Sequence, residues 1–172
     1  MFNKVCIIPT GDELADQIVI DTDSPFVMEK LLQLNGRAIV MRLAPVRDQE
    51  AAVLDTLRYC SEEFHADLII FIGGSGGGHR FSRTLGKDFT QSALEKNLAD
   101  MHSSALYGKN GHLWSKLVIG HYGLALVLNL PGPYAEVQVT MDAFIGTYRT
   151  QCEELERINA AMAAALKEKY GT

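Results

Sequence analysis

Leu68-Ile69-Ile70-Phe71-Ile72-Gly73-Gly74-Ser75-Gly76-Gly77-Gly78 is the stretch on which the fold turns. Its first half is five consecutive apolar residues between Asp67 and Gly73. That is too short for a helix and lacks polar alternation, so it predicts a strand buried on both faces, as in a parallel sheet covered by helices. Its second half places five glycines in six positions. Each glycine costs roughly 0.5–1 kcal/mol relative to alanine in regular structure, and a plain connection does not need five. What the run supplies is backbone N–H groups with no Cβ in the way, suited to phosphate or another oxyanion.

The same alternation of short apolar runs and longer amphipathic segments continues on both sides. Upstream, Val5-Cys6-Ile7-Ile8 predicts a buried strand ending at the turn Pro9-Thr10-Gly11. Ser24-Pro25 predicts a helix start, with Ser24 as N-cap and Pro25 first in the helix, running to Asn35-Gly36. Ala38-Ile39-Val40-Met41 predicts a second strand, and Val53, Leu57, Cys60 and Phe64 fall at helical spacing over residues 48–64. Downstream the pattern predicts a helix at 91–98, a polar glycine-containing stretch at 103–112, and strands at Leu117-Val118-Ile119 and 124–130. Gly120-His121-Tyr122-Gly123 separates those two strands. Two helices close the chain, one through Val137, Met141, Phe144 and Tyr148, the other over about residues 151–168. This order predicts an α/β fold built on a mostly parallel sheet, in a single domain over residues 1–172.

The composition narrows the function. At 172 residues the chain is about one domain long, and 47% hydrophobic with 22% charged residues is globular. Sixteen basic against 21 acidic residues give a net charge of -5 with no basic cluster, which argues against nucleic acid and anionic membranes as partners. The longest uncharged segment, 117–135, contains Gly120, Gly123, Asn129, Pro131, Gly132 and Pro133 and makes a poor membrane span. Cys6, Cys60 and Cys152 form no CxxC pair, and the histidines at 65, 79, 102, 112 and 121 show no ligating spacing, so no metal site is expected. The apolar run at 5–8 is too short for a signal peptide, and a cytoplasmic location is expected.

In open α/β sheets ligands bind beyond the carboxyl ends of the strands. Three segments occupy that position: Thr10-Gly11-Asp12-Glu13, residues 73–78, and Leu130-Pro131-Gly132-Pro133. The glycine run is not a P-loop, since His79-Arg80 stand where Lys and Ser/Thr belong, and GxGxxG cannot be placed on it. His79 and Arg80 are instead candidates for contacting an anion. Gly73-x-Ser75-x-Gly77 also matches the nucleophile elbow of α/β-hydrolases, with Ser75 as nucleophile, Asp100 as acid and His112 or His121 as base. Asp21-Thr22-Asp23-Ser24-Pro25 puts two carboxylates and two hydroxyls at a helix mouth, more than capping requires, which makes them candidates for a polar ligand or Mg²⁺. A side chain introduced as Gly76→Val is expected to abolish ligand binding and leave the fold intact.

Together these segments resemble the molybdopterin-binding domain of molybdenum-cofactor biosynthesis, the Mog and MoaB type. The matching stretches are Ile8-Pro9-Thr10-Gly11-Asp12-Glu13-Leu14, Asp21-Thr22-Asp23-Ser24-Pro25, residues 67–76, and Leu130-Pro131-Gly132-Pro133. The resemblance implies a three-layer α/β/α fold, frequently a homotrimer, with a pocket for the phosphate of a pterin dithiolene. Related enzymes adenylylate molybdopterin, which calls on ATP and Mg²⁺, or insert molybdate. It implies that Thr10, Gly11, Asp21, Ser24, Gly73, Gly74, Ser75, Gly76, Gly77, Gly78, Arg80, Pro131 and Gly132 line the ligand site, with Asp21 and Asp12 as the catalytic candidates. The chain departs from the family at Phe81, where the pattern has an Asp after the Arg; the nearest replacement, Asp88, lies seven residues on. Phe neither ligates Mg²⁺ nor accepts a proton. That departure leaves open a divergent, non-catalytic member that binds a pterin or nucleotide-like ligand as carrier or regulator.

Overall fold

The computed structural model describes residues 2–76, 89–150 and 154–170. Val5, Cys6, Ile7 and Ile8 are wholly inaccessible to solvent and form the centre of β1 (Lys4–Pro9). A one-turn helix α1 (Asp12–Ala15) and then α2 (Asp23–Leu34) lead to β2 (Ile39–Arg42). Next come α3 (Glu50–Arg58), extended by a π-helical turn (Tyr59–Glu63), and β3 (Leu68–Ile72), the apolar run that opened the sequence reading. α4 (Phe89–Asn97), β4 (Ala99–Tyr107), β5 (Leu113–Tyr122), β6 (Ala125–Leu130), α5 (Tyr134–Arg149) and α6 (Leu155–Tyr170) complete the described chain.

Among the described residues the strands form one six-stranded sheet in the order β2-β1-β3-β6-β5-β4. β2, β1, β3 and β6 pair in parallel, whereas β5 is antiparallel to both β6 and β4, so β5 alone runs against the rest. The period-two alternation of a strand divides each apolar run between two cores. Val5, Ile7, Leu68, Ile70, Leu126 and Leu128 face α2, α5 and α6, with Val27, Leu31, Met141, Phe144 and Met162 across from them. Cys6, Ile8, Ile69, Phe71 and Val127 face α3 and α4 through Val53, Leu57, Cys60, Ala93 and Leu94. This is a three-layer α/β/α sandwich. Among the described residues no helix is long and apolar enough to cross a membrane.

Several expectations change. The first half of the polar stretch expected at 103–112 is strand β4, which ends at Tyr107, and β5 starts at Leu113, four residues before the predicted Leu117. β4 is an edge strand, largely exposed, so it carries no apolar pattern; its ladder to β5 holds it. Gly120 is inside β5 rather than in a turn, because a Cβ there would lie 2.8 Å from Ala99 O and 2.9 Å from Leu98 Cβ. The register shift between Ala99 and His102 brings that backbone against it. The hairpin turns instead at Gly123 and Leu124, between Tyr122 and Ala125. α2 begins two residues early, at Asp23 rather than Pro25, so Ser24 lies inside the first turn and is not the N-cap. α6 packs on α5 and the β4–β5 side of the sheet, burying Ile158, Met162, Ala163 and Leu166; of its alanine-rich stretch only Ala163 is buried. Residues 151–153, where that helix was expected to start, lie outside the described residues.

Candidate functional site

Since β2 and β3 flank β1 on opposite sides, the chain changes direction between β1 and β3, and the crevice beyond their carboxyl ends is the topological switch point. The backbone closes tightly there. Thr10 donates both its N–H (2.8 Å) and its Oγ1 hydroxyl (3.1 Å) to Ile72 O. Gly73 N–H donates to Leu130 O at 3.0 Å. Gly73 has φ +98°, and a Cβ on it would stand 2.7 Å from Thr10 O and 3.0 Å from Thr10 Oγ1. A Cβ on Gly132 would come within 3.7 Å of Gly73 Cα. Thr10, Gly73 and the Pro131-Gly132 turn therefore meet, as the sequence predicted for the ends of β1, β3 and β6.

Gly74 (φ 63°) and Gly76 (φ 96°) continue the left-handed backbone begun at Gly73. Runs of this kind turn successive amides into an anion-binding concavity. Ser75 is buried, and its C=O accepts the Lys116 N–H at 2.7 Å. A Cβ at Gly76 would meet Gln91 Oε1 at 3.4 Å and Leu113 Cδ2 at 3.5 Å. A valine there is strained by its positive φ and crowds α4 and β5, so it disturbs the fold along with any ligand. Gly77, Gly78, His79, Arg80, Phe81 and Asp88 lie outside the described residues.

Asn129 makes room for this loop, and the sequence reading missed it. β5 and β6 pair from Ile119↔Leu128 to Tyr122↔Ala125. Beyond Ile119 the Asn129 side chain replaces the ladder: its Oδ1 accepts the Val118 N–H at 2.6 Å and its Nδ2 donates to Lys116 O at 3.0 Å. The Lys116 N–H is thereby left to Ser75. The signal was one buried amide in an otherwise apolar strand, Ala-Leu-Val-Leu-Asn-Leu.

Ser75 has no triad. His121 pairs with Ala99 and Leu126 at the far end of β5, and its Nδ1 lies 4.0 Å from Asp100. Five residues of strand separate His121 from Lys116, the partner of Ser75, or about 16 Å at ~3.3 Å per residue. His112 is on the correct edge, but Asp100 is not. The hydrolase arrangement expected from Gly73-x-Ser75-x-Gly77 is not assembled.

On the β2 flank, Asp21 caps α2 and anchors it. Its Oδ1 accepts the N–H groups of Asp23 (3.2 Å) and Ser24 (3.0 Å), while Oδ2 accepts Arg42 Nε (3.0 Å) and Nη2 (2.8 Å). Burial alone would raise its pKa, but Ser24 and the Arg42 guanidinium outweigh it and hold the carboxyl below its usual value. β1 separates this cluster from the glycine loop by two strand spacings, about 10 Å. Asp23 differs. Its Oδ1 is buried without a hydrogen-bond partner, and burial together with the Asp21 charge pushes its pKa up to about 6. Ser24 Oγ is also buried and makes no hydrogen bond of good geometry, though it lies close enough to favour the Asp21 carboxylate. Asp12 Oδ1 faces Arg47 Nη1 at 3.6 Å and accepts the Asp48 N–H at 3.3 Å. Among the described residues no group of three or more His, Cys, Asp or Glu side chains converges, and both Asp21 oxygens are already engaged by Arg42 and backbone amides.

A glycine-lined crevice at the switch point of a three-layer α/β sheet is where domains of this class bind small ligands. Residues 6–151 match the model of the probable molybdopterin binding domain, and the chain belongs to that family. The fold is that of the molybdopterin biosynthesis enzyme MoaB from Thermus thermophilus, with TM-score 0.60 at 22% identity over 100% of this chain and 98% of that one. It is also that of Mog from Mycobacterium ulcerans, with TM-score 0.65 at 22% identity over 87% and 96%. A CinA-like protein of Thermosipho melanesiensis is 24% identical over 97% of this chain; the chain spans 48% of that protein's length.

Proposed function

We propose that this chain binds molybdopterin, or a closely related phosphorylated pterin, at the carboxyl ends of β1, β3 and β6, in the service of molybdenum-cofactor biosynthesis. The observation that carries this reading is the left-handed backbone at Gly73, Gly74 and Gly76, held against Thr10 and Gly132. The loop that this backbone opens, beyond the Gly73 N–H already donated to Leu130 O, takes the phosphate, and the N-terminus of α2, with Asp21 and Ser24, borders the pterin side. Thr10, Gly11 and Pro131 wall the cradle, and Gly77, Gly78 and Arg80, outside the described residues, are assigned to the same site on the family resemblance alone.

Between adenylyl transfer or molybdenum insertion and simple carriage, two features favour carriage. Phe81 replaces the family's carboxylate, and both oxygens of Asp21 are engaged by Arg42 and backbone amides. Such a carboxylate orients and caps; it is not free to take a proton. A homo-oligomer, a trimer on the family pattern, fits the exposed aliphatic side chains of Ile18, Val19, Ile20, Leu32 and Ile39, and light scattering reads it. Mass spectrometry of small molecules released from protein purified anaerobically tests the main reading. A phosphorylated pterin is the expected result. A ligand without phosphate, or protein that binds no phosphorylated pterin in calorimetry, refutes it.

A further inference from the structure

α2 and α5 both follow parallel strands, so both begin at the carboxyl edge of the sheet, and their first turns meet there through two rings. Phe26 and Tyr134 stand edge to face, with centroids 5.8 Å apart and planes at 74°. Lys30 Nζ lies 5.2 Å from the Phe26 ring centroid and also pairs with Asp142 of α5 at 2.7 Å, which locks the two helices together. Phe26 is partly buried in the core, whereas Tyr134 keeps 43% of its surface exposed. Tyr59 and Tyr170 stand about as open, so it is the place of Tyr134, not its exposure, that sets it apart.

Its position gives the exposed ring a use. Tyr134 is two residues beyond Gly132, at most about 7 Å along the chain, and Gly132 itself abuts Gly73. Phosphate on the glycine amides places the rest of a ligand within reach of that ring. We propose that Tyr134, braced by Phe26, is the stacking platform for the flat heterocycle of a phosphorylated pterin, and that it sets the preference of the site for ring-bearing phosphates over phosphate alone. The inference rests on the phosphate cradle described above. Phe26 fixes the plane of the platform; Tyr134 touches the ligand. An aromatic face stacks on a flat heterocycle whatever its edge pattern, so the platform selects a class of ligand and leaves the fine choice to the polar groups around it.

Calorimetry with two probes, inorganic phosphate and 6-hydroxymethylpterin phosphate, tests it on the wild type, Tyr134→Ala and Tyr134→Phe. Tyr134→Ala is expected to weaken the pterin phosphate by about 5- to 150-fold, the span of base–aromatic stacking, and to leave inorganic phosphate unchanged. Tyr134→Phe retains wild-type affinity for both. If Tyr134→Ala binds the pterin phosphate as tightly as the wild type, or loses both probes equally, the platform is refuted while the cradle stands. If the wild type binds neither probe, the cradle itself is refuted, and the platform with it.

Discussion

Placing a methyl group at Gly73 probes the junction on which the site depends. In Gly73→Ala the new Cβ stands 2.7 Å from Thr10 O, a backbone atom that cannot rotate aside because its peptide plane is held by the Gly11 N–H donating to Val46 O at 2.9 Å. The positive φ of 98° adds a strain of about 1–2 kcal/mol for a residue with a side chain. Crowding of a closely packed site adds roughly 1–3 kcal/mol, so the total is about 2–5 kcal/mol. For a domain of this size that corresponds to a Tm lowered by roughly 5–20 °C. Two other glycines separate the contributions. Gly111 has φ +75° with nothing within 4 Å of its added Cβ, so Gly111→Ala carries strain alone, about 1–2 kcal/mol. At Gly132 the Cβ would make an ordinary 3.7 Å contact, so Gly132→Ala is expected to stay within about 0.5 kcal/mol of wild type. Thermal and urea unfolding of the three variants read the series. A Gly73→Ala loss no larger than that of Gly111→Ala, or a Gly132→Ala loss as large as that of Gly73→Ala, refutes the junction.

Asn129→Leu strands the Val118 N–H and the Lys116 C=O in the sheet interior, at about 1–3 kcal/mol each; urea midpoints should fall accordingly, and an unchanged midpoint rules out the amide bridge. Asp21→Ala removes the α2 cap and the Arg42 ion pair, costing about 1–2 kcal/mol at pH 7. Because the folded-state pKa of Asp21 is lowered, that stability is present above about pH 4 and is lost as the pH falls through the folded value, so the variant and wild type should converge in acid. A gap that persists at pH 2 contradicts this. Asp23 has the opposite sign: its pKa is raised to about 6, so its stability is complete below its ordinary value of 3.8 and is lost as the pH rises through about 6. Asp23→Asn should therefore be the more stable protein at pH 8, by up to about 3 kcal/mol, and no more stable at pH 4. Equal denaturation midpoints at both pH values would remove the raised Asp23 pKa, from burial and the Asp21 charge together, from the account.

Much of the fold was legible because a strand buried on both faces needs an unbroken apolar run. Leu68–Ile72 is such a run, and β3 has those boundaries in the structure. The three segments after strands were found for a similar reason: glycine and proline mark where a parallel strand gives way to a loop. β4 escaped detection because an exposed edge strand is held by its neighbour's hydrogen bonds and displays no pattern of its own. The cap of α2 was assigned to Ser24 because serine before proline is a good local signal. Asp21 outcompetes it through Arg42, which lies 21 residues away in sequence and at the end of a neighbouring strand.

What the amino-acid order alone determined was the class of the fold and the place of the glycine run beyond the end of β3, since apolar periodicity and glycine content are local properties of the chain. Only the tertiary structure decided which polar groups share that edge of the sheet. It carried His121 and Asp100 to the far end of β5, spent Asp21 on Arg42, left Asp23 Oδ1 buried without a hydrogen bond, and set Tyr134 open beside Gly132. The reason is physical: strand order and direction set those distances, and they depend on contacts between residues far apart in sequence.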